Sequence, residues 1–177
     1  MKRKQQFKYI NKGILYYMSK SMLYKSIYNV IKYILWKVIF MYLTWDCSLD
    51  IGIDNIDNQH KELFNCLEQL LTSIEEEKSN DEIIKTLDFL EEYVVKHFND
   101  EEEIQSKTNY PLLDIQRIQH ENFKSDLKEF RRVFEIHGAS TVLALNIQKG
   151  LVDWLRNHIM NLDKDLGDFL IEIGHNK

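Results

Sequence analysis

The sequence predicts an all-α protein, an antiparallel up-down four-helix bundle with an extended N-terminal arm. Three observations support this fold class. The 177 residues include only six Gly and one Pro, which disfavours a turn-rich β protein. Apolar residues recur every three or four positions along four long stretches, the spacing of amphipathic helices. Short connections separate these stretches, so consecutive helices should run antiparallel.

Charge is distributed unevenly along the chain. Residues 1–44 hold nine Lys and Arg and no acidic residue, leaving 14 basic against 28 acidic residues in the remainder. Binding to nucleic acid needs a positive patch, so the acidic body argues against a nucleic-acid partner. Cys47 and Cys66 have no metal-binding spacing, and we expect both to stay reduced in a cytoplasmic protein.

Residues 1–40 are a basic, apolar extension preceding the bundle of residues 41–177. The stretch 26–44 is about long enough to span a membrane, but Lys32 and Lys37 lie inside it. No small-residue cleavage site follows, so a secretory signal is disfavoured. An amphipathic helix at a membrane surface fits better. Alternatively, the extension is translated upstream sequence and Met41 is the true start. Membrane association is expected only if residues 1–40 are native.

The arm and the first helix follow. Trp45–Ile56 alternates apolar and polar residues and contains a Gly, which is typical of an extended segment. Asp57 is a favoured N-cap residue, so the first helix should begin near it. His60 lies on the apolar stripe of that helix, which directs its imidazole toward the core.

The second helix begins at a capping-box signature, in which Ser79 is followed three residues later by Glu82. Its apolar row continues to His97 and Glu101. These two residues are four apart and therefore share one helical face. The helix should break at residues 109–111, which contain the only proline of the chain.

The third and fourth helices carry the remaining polar residues of the predicted core. Gln116 and His120, again four apart, lie on the apolar seam of the third helix. Gly138 should end this helix and Ser140 should cap the next. His158 lies within the apolar stripe of the fourth helix.

An inward imidazole on every helix indicates a metal site. In an up-down bundle the four histidines can lie at one level, and a buried Glu101 is costly unless its charge is neutralised. Imidazole and carboxylate without thiolate suit iron, manganese or zinc. A structural zinc needs only four ligands, so a larger set with carboxylates favours two metals.

Asp163 is the second candidate carboxylate. It lies five residues after His158, which places it about 140° away around an ideal helix. To reach the same centre, the helix must bend or end near Leu162. The alternative is an exposed acid at a helix end.

Three segments together resemble the signatures of the hemerythrins, in particular the bacterial single-domain type. They are WDCSLDIGIDNIDNQHKELF, the stretch His97–His120, and WLRNHIMNLD. The resemblance covers residues 41 to about 172 and implies a bundle that holds two oxo- or hydroxo-bridged non-haem iron ions and binds O2 reversibly. It implies that one iron is ligated by His60 and His97, the other by the positions of Gln116, His120 and His158, and both by Glu101 and Asp163.

Gln116 departs from the family pattern, which has histidine at this position. An amide oxygen is a weak neutral ligand compared with imidazole. Three outcomes stay open: amide or water ligation, a weakly held second iron, or a mononuclear site. We expect a di-iron centre whose second site is weakened.

Five apolar residues adjacent to the ligand positions would line a dry O2 pocket, namely Leu63, Phe98, Trp154, Leu155 and Ile159. None of them is an acid–base group, which favours O2 carriage, storage or sensing over enzymatic turnover. The alternative is a di-iron or mono-iron enzyme acting on peroxide or nitric oxide, since a labile iron position suits such chemistry. A third alternative is an interaction or signalling module.

Overall fold

The structure is a computed structural model, and it describes residues 23–38, 40–41 and 43–175. The chain divides into two units, Met1–Val38 and Ile39–Lys177. In the first unit, residues 23–38 are helical and most of their large apolar side chains are exposed. No helix in the described part of the chain is long and apolar enough to cross a membrane. Residues 1–22 of the predicted extension lie outside the described residues, and its origin stays a prediction.

The second unit contains four long helices, and the described residues of the chain include no β-strand. They are α1 Asp54–Glu75, α2 Asn80–Thr108, α3 Leu113–His137 and α4 at 141–172. α4 joins the α-helical segments Thr141–Ile147, Asp153–His158 and Lys164–Glu172 through two π-helical turns, Gln148–Val152 and Ile159–Asp163.

Antiparallel packing follows from the ion pairs between α2 and α3. Arg131 of α3 binds Glu91 in the first half of α2, whereas Arg117 at the start of α3 binds Glu102 near the end of α2. Residue numbers therefore rise along one helix as they fall along the other. The predicted up-down bundle is confirmed.

The helix ends follow local chemistry that the sequence predicts. The Ser79 hydroxyl accepts from the Glu82 amide and the Glu82 carboxylate accepts from the Ser79 amide, so the capping box is confirmed. α2 ends at Thr108, and its C-cap residue Asn109 adopts the left-handed conformation with a φ of 53°, two residues before Pro111. Ser140 caps α4 by accepting from Leu143.

The arm differs from its prediction. A 3₁₀ turn, Cys47–Leu49, interrupts it, and α1 begins at Asp54 with Ile53 at the N-cap. The predicted N-cap role of Asp57 is wrong, because its carboxylate instead accepts from the backbone amides of Ile51 at 2.8 Å and Gly52 at 3.1 Å. Asp57 therefore holds the arm against the first turn of α1.

Apolar side chains fill the bundle above and below a polar layer. Four leucines of this core are fully buried, namely Leu67, Leu70, Leu90 and Leu151. The polar layer contains the histidines and carboxylates that the sequence predicts to face inward. Burial of that layer, rather than the apolar core, is the feature that sets this bundle apart.

Candidate metal centre

The seven predicted ligand positions are buried in the bundle interior. The side chains of the predicted set are at most 5% exposed, and Glu101, Gln116 and Asp163 are fully buried. Each of the four helices contributes at least one of them, so the layer crosses the whole bundle. The seven are His60, His97, Glu101, Gln116, His120, His158 and Asp163.

His60 of α1 and His97 of α2 form one half of the layer, which we call the His60 half. Their rings meet edge to face with centroids 4.8 Å apart. The His60 Nε2 atom lies 3.3 Å from Oδ2 of Asp163. The antiparallel register of α1 and α2 brings these residues to one level, although 36 intervening residues separate them.

His120 of α3 and His158 of α4, together with Gln116, form the other half, the His120 half. The two Nε2 atoms of the histidines are 3.2 Å apart. Nε2 of His120 lies 3.3 Å from Oε2 of Glu101, and Nε2 of His158 lies 3.2 Å from Oδ1 of Asp163. Both imidazoles therefore turn the same nitrogen toward the carboxylates.

Asp163 contacts both halves, with Oδ2 toward His60 and Oδ1 toward His158. An ideal α-helix would turn it about 140° away from His158. The π-helical turn Ile159–Asp163 removes this offset, because i→i+5 hydrogen bonding brings a residue above the one five positions earlier. The local widening of α4 is thus the bend that the sequence requires.

Gln116 lies one turn before His120 on the same face of α3. Its Nε2 donates to Oδ1 of Asp163 at 3.1 Å, whereas its Oε1 has no hydrogen-bond partner in the described part of the chain. An amide nitrogen cannot ligate a cation, so in this arrangement Gln116 positions the carboxylate instead.

Two residues that the sequence analysis missed contact the outer nitrogens of the histidines. Nδ1 of His97 is 2.9 Å from Oε1 of Gln59, and Nδ1 of His120 is 2.9 Å from Oε1 of Glu102. Each acceptor binds an Nδ1–H and thereby leaves Nε2 of the ring free for a ligand. The only signal was proximity, since Gln59 precedes His60 and Glu102 follows Glu101.

Burial shifts the acidity of these groups. Burial lowers the pKa of His120 to about 4 despite the carboxylate of Glu102, and holds the pKa of His97 well below its usual value. Burial, reinforced by the nearby Asp163 carboxylate, raises the pKa of Glu101 well above its usual value. Burial alone would also raise the pKa of Asp163, but His158 and His60 outweigh it and lower that pKa. The uncharged imidazoles are the form that binds a metal.

Aromatic side chains cover the His120 half. Phe98 stacks on His120 with ring centroids 3.8 Å apart, and Trp154 stacks on His158 at 4.4 Å. The other predicted pocket residues, Leu63, Leu155 and Ile159, are at most 1% exposed. Trp154 is partly exposed, so it forms the outer wall of this apolar surround.

The donor set fits metal cations. Within the described residues, both oxygens of Glu101, Nε2 of His97 and both ring nitrogens of His60 lack a hydrogen-bond partner although they are buried. Atoms of Glu101, His120 and His158 lie within 4.8 Å of one another. Ligands at right angles around an ion at about 2.1 Å are roughly 3.0 Å apart, close to the spacings above. A cation would supply the partner that these atoms lack.

Comparisons with known proteins agree with this geometry. The family model described as the hemerythrin HHE cation binding domain matches residues 51–170. Bacteriohemerythrin of Clostridium acetobutylicum is 27% identical over 70% of this chain and 98% of its own length. Bacteriohemerythrin of Stenotrophomonas maltophilia is 32% identical over 71% of this chain and 80% of its own length. Myohemerythrin of Riftia pachyptila is 27% identical over 67% and 86%, respectively.

Proposed function

We propose that this chain, which belongs to the hemerythrin family, holds two non-haem iron ions in its polar layer and binds O2 reversibly. The observation that carries the proposal is Asp163, whose two oxygens face different pairs of histidines. A carboxylate in that position serves two metals better than one. Glu101, which follows His97 by one turn of α2 and whose Oε2 lies 3.3 Å from Nε2 of His120, is the second candidate for a carboxylate shared by both irons. Bound iron would supply the electrons that O2 takes up on binding and returns on release.

The protein's own residues keep the site dry and the ligands oriented. Phe98 covers one face of His120, and the buried Leu63, Leu155 and Ile159 exclude water around the layer. Gln59 and Glu102 hold the protons of the outer ring nitrogens, so that Nε2 of His97 and His120 faces the centre. None of these apolar residues can donate or accept a proton, which favours binding of O2 over its conversion.

The second iron should be held more weakly than the first. Both halves contain two imidazoles, but Oδ1 of Asp163, which faces His158, already accepts from the amide of Gln116 and is therefore a weaker ligand. Oδ2, which faces His60, accepts no hydrogen bond among the described residues. An anaerobic titration with Fe(II) should therefore show two steps of unequal affinity. Two irons of equal affinity would contradict the weakening, and fewer than two irons per chain would contradict the di-iron proposal itself.

Reversible binding of O2 is tested on the same sample. After anaerobic loading and removal of excess iron, a visible absorption band should appear in air and disappear under argon over several cycles. Replacement of the exposed His137 by Ala provides a control, because this histidine lies outside the layer. A sample that oxidises once and does not recover would contradict a carrier or sensor.

A second candidate function is a di-iron or mono-iron enzyme that consumes peroxide or nitric oxide. The engagement of Gln116 with Asp163 favours it, because a metal of the His120 half then keeps a position for a further ligand. Steady consumption of added peroxide by the iron-loaded protein, at many equivalents per chain, would support the enzyme. Binding of O2 without such turnover would support the carrier.

A further inference from the structure

Three buried polar side chains in or next to the polar layer have atoms without a hydrogen-bond partner among the described residues. Gln105 and Gln116 are fully buried and Tyr110 is 6% exposed. Among the described residues, neither amide atom of Gln105, nor Oε1 of Gln116, nor the Tyr110 hydroxyl finds a hydrogen bond. We call these three residues the amide layer. A polar group that is buried without a partner destabilises the folded protein.

The register of α2 and α3 places the two amides at one level. Gln105 follows Glu101 by one turn of α2, and Gln116 precedes His120 by one turn of α3. The contact of 3.3 Å between Glu101 and His120 joins these antiparallel helices. One turn from this contact, toward the connection between α2 and α3, Gln105 and Gln116 therefore lie at a common level, where both are fully buried.

Tyr110 closes this end of the bundle. Its backbone amide donates to the carbonyl of Gln105 at 2.9 Å, and its ring packs against Phe169 of α4 at 5.1 Å. Burial raises the pKa of its phenol to about 12, and the carboxylates of Asp165, Asp163 and Glu101 add to this shift, so the phenol lies within electrostatic reach of the polar layer. The level next to Glu101 thus contains two hydrogen-bond donors without a partner among the described residues, Nε2 of Gln105 and the hydroxyl of Tyr110.

The number of metal ligands in each half points to a role for the amide layer. This inference rests on the proposed di-iron function. With Gln116 donating to Asp163, each half offers two imidazoles, and Asp163 faces both halves. A metal bound in the His120 half would then have two protein nitrogens as ligands and leave a position open, as would a metal bound by His60 and His97. This position lies where the imidazole of a histidine at position 116 would otherwise stand, beside the amide layer.

We propose that the chain binds a second small anion, at the metal of the His120 half, with the amide layer as its hydrogen-bonding surround. The donors of Gln105 and Tyr110 would stabilise a compact anion such as azide, while the metals neutralise Glu101 and Asp163, which would otherwise repel it. An anion there would also accept from Nε2 of Gln105 and from the Tyr110 hydroxyl, the two donors of the amide layer that lack an acceptor among the described residues. The ligand class is therefore small anions that fit within a buried space, with water in their absence.

The test is the stoichiometry of azide binding to the iron-loaded, oxidised protein. Equilibrium dialysis should give two azides per two irons in the unaltered chain, and infrared spectra should show two azide stretching bands. The variant Gln116→His restores an imidazole at the position and should bind one azide per two irons. Two azides in this variant would overturn the assignment to the His120 half.

Variants of the amide layer test the surround. Gln105→Leu should weaken one of the two azide sites by roughly 10-fold and leave the other unchanged. The matched control is Gln148→Leu. Gln148 lies ten residues before His158 in the chain, and this variant removes a buried amide of α4 that binds Asp153. Equal weakening of both sites by Gln105→Leu, or the same weakening by the control, would overturn the role of the amide layer.

Iron content separates this proposal from the function it rests on. Two irons with a single azide in the unaltered chain would overturn the second anion site and leave the di-iron proposal standing. Fewer than two irons per chain would overturn both.

Discussion

The two halves of the polar layer differ in the groups that accept hydrogen bonds from the outer nitrogens of their histidines. His97 of the His60 half meets the neutral amide of Gln59, which in turn donates to Asp100 at 2.8 Å. His120 of the other half meets the carboxylate of Glu102, which Arg117 binds at 3.3 Å. A carboxylate acceptor makes an imidazole a stronger ligand than a neutral acceptor does.

This difference is instructive because the same half carries Gln116. In the His120 half, the amide of Gln116 takes the place of an imidazole and the outer acceptor is a carboxylate. In the His60 half, the outer acceptor is neutral and no imidazole is replaced. Under the proposed di-iron function, the hydrogen bond from His120 to Glu102 would offset part of the ligand strength that Gln116 does not provide.

The largest effect should come from the residue that joins the halves. Asp163→Asn keeps the shape but removes the charge, and because Asp163 faces both pairs of histidines, we expect both irons to be lost. The loss of affinity should exceed the roughly 10–100-fold typical of outer partners. Iron analysis after gel filtration measures it. Asp168→Asn, at an exposed position of the same helix, is the control. Loss of one iron alone would show that Asp163 serves a single half.

Glu102→Gln tests the difference itself, because it makes the two outer acceptors alike. The amide can still accept from His120, but the negative charge is gone, so the weaker step of the Fe(II) titration should weaken further by roughly 10–100-fold. The stronger step should not move. The exposed neighbour Glu103, changed to Gln, is the matched control. Equal shifts in both steps would contradict an effect confined to the His120 half.

The metal-free protein should lose stability as the pH falls from about 6 to 5. On unfolding, His97 and His120 regain ordinary pKa values and each takes up a proton, whereas Glu101, whose pKa is raised in the fold, releases one. Two groups take up protons and one releases a proton, so unfolding takes up protons on balance and the free energy of unfolding falls as the pH falls.

Urea unfolding of the metal-free chain at several pH values measures this slope. The double variant His97→Gln and His120→Gln removes the two imidazoles and should reverse the sign, because only the proton released by Glu101 is left. A slope of zero in the unaltered chain would show that the two imidazoles do not carry the effect.

The smallest effects should come from the surface ends of the two chains of contacts. Arg117→Ala removes the partner of Glu102, and Lys96→Ala removes the partner of Asp100. Both cations are about half exposed, and such ion pairs contribute about 0.2–1 kcal/mol. We expect each variant to shift one titration step by less than about 5-fold. A shift as large as that of Glu102→Gln would show that the surface ion pair, rather than the acceptor itself, sets the affinity for iron.

Much of the fold could be predicted because its signals are local. The capping box at Ser79, the break at residues 109–111 and the stop at Gly138 depend on residues within one turn of each other. Misassignment of Asp57 had the opposite cause. A favoured N-cap residue was present, but its carboxylate binds the arm, and that contact depends on how the arm folds back.

The sequence by itself determined which side chains face inward, since helical periodicity places His60, His97, Glu101, His120 and His158 on apolar faces. Only the tertiary structure decided what those side chains meet. The π-helical turn that swings Asp163 into the layer, the outer acceptors Gln59 and Glu102, and the unpartnered amide of Gln105 all depend on packing between helices. The physical reason is range: periodicity and capping act within a helical turn, whereas these contacts join residues brought together only when the bundle closes.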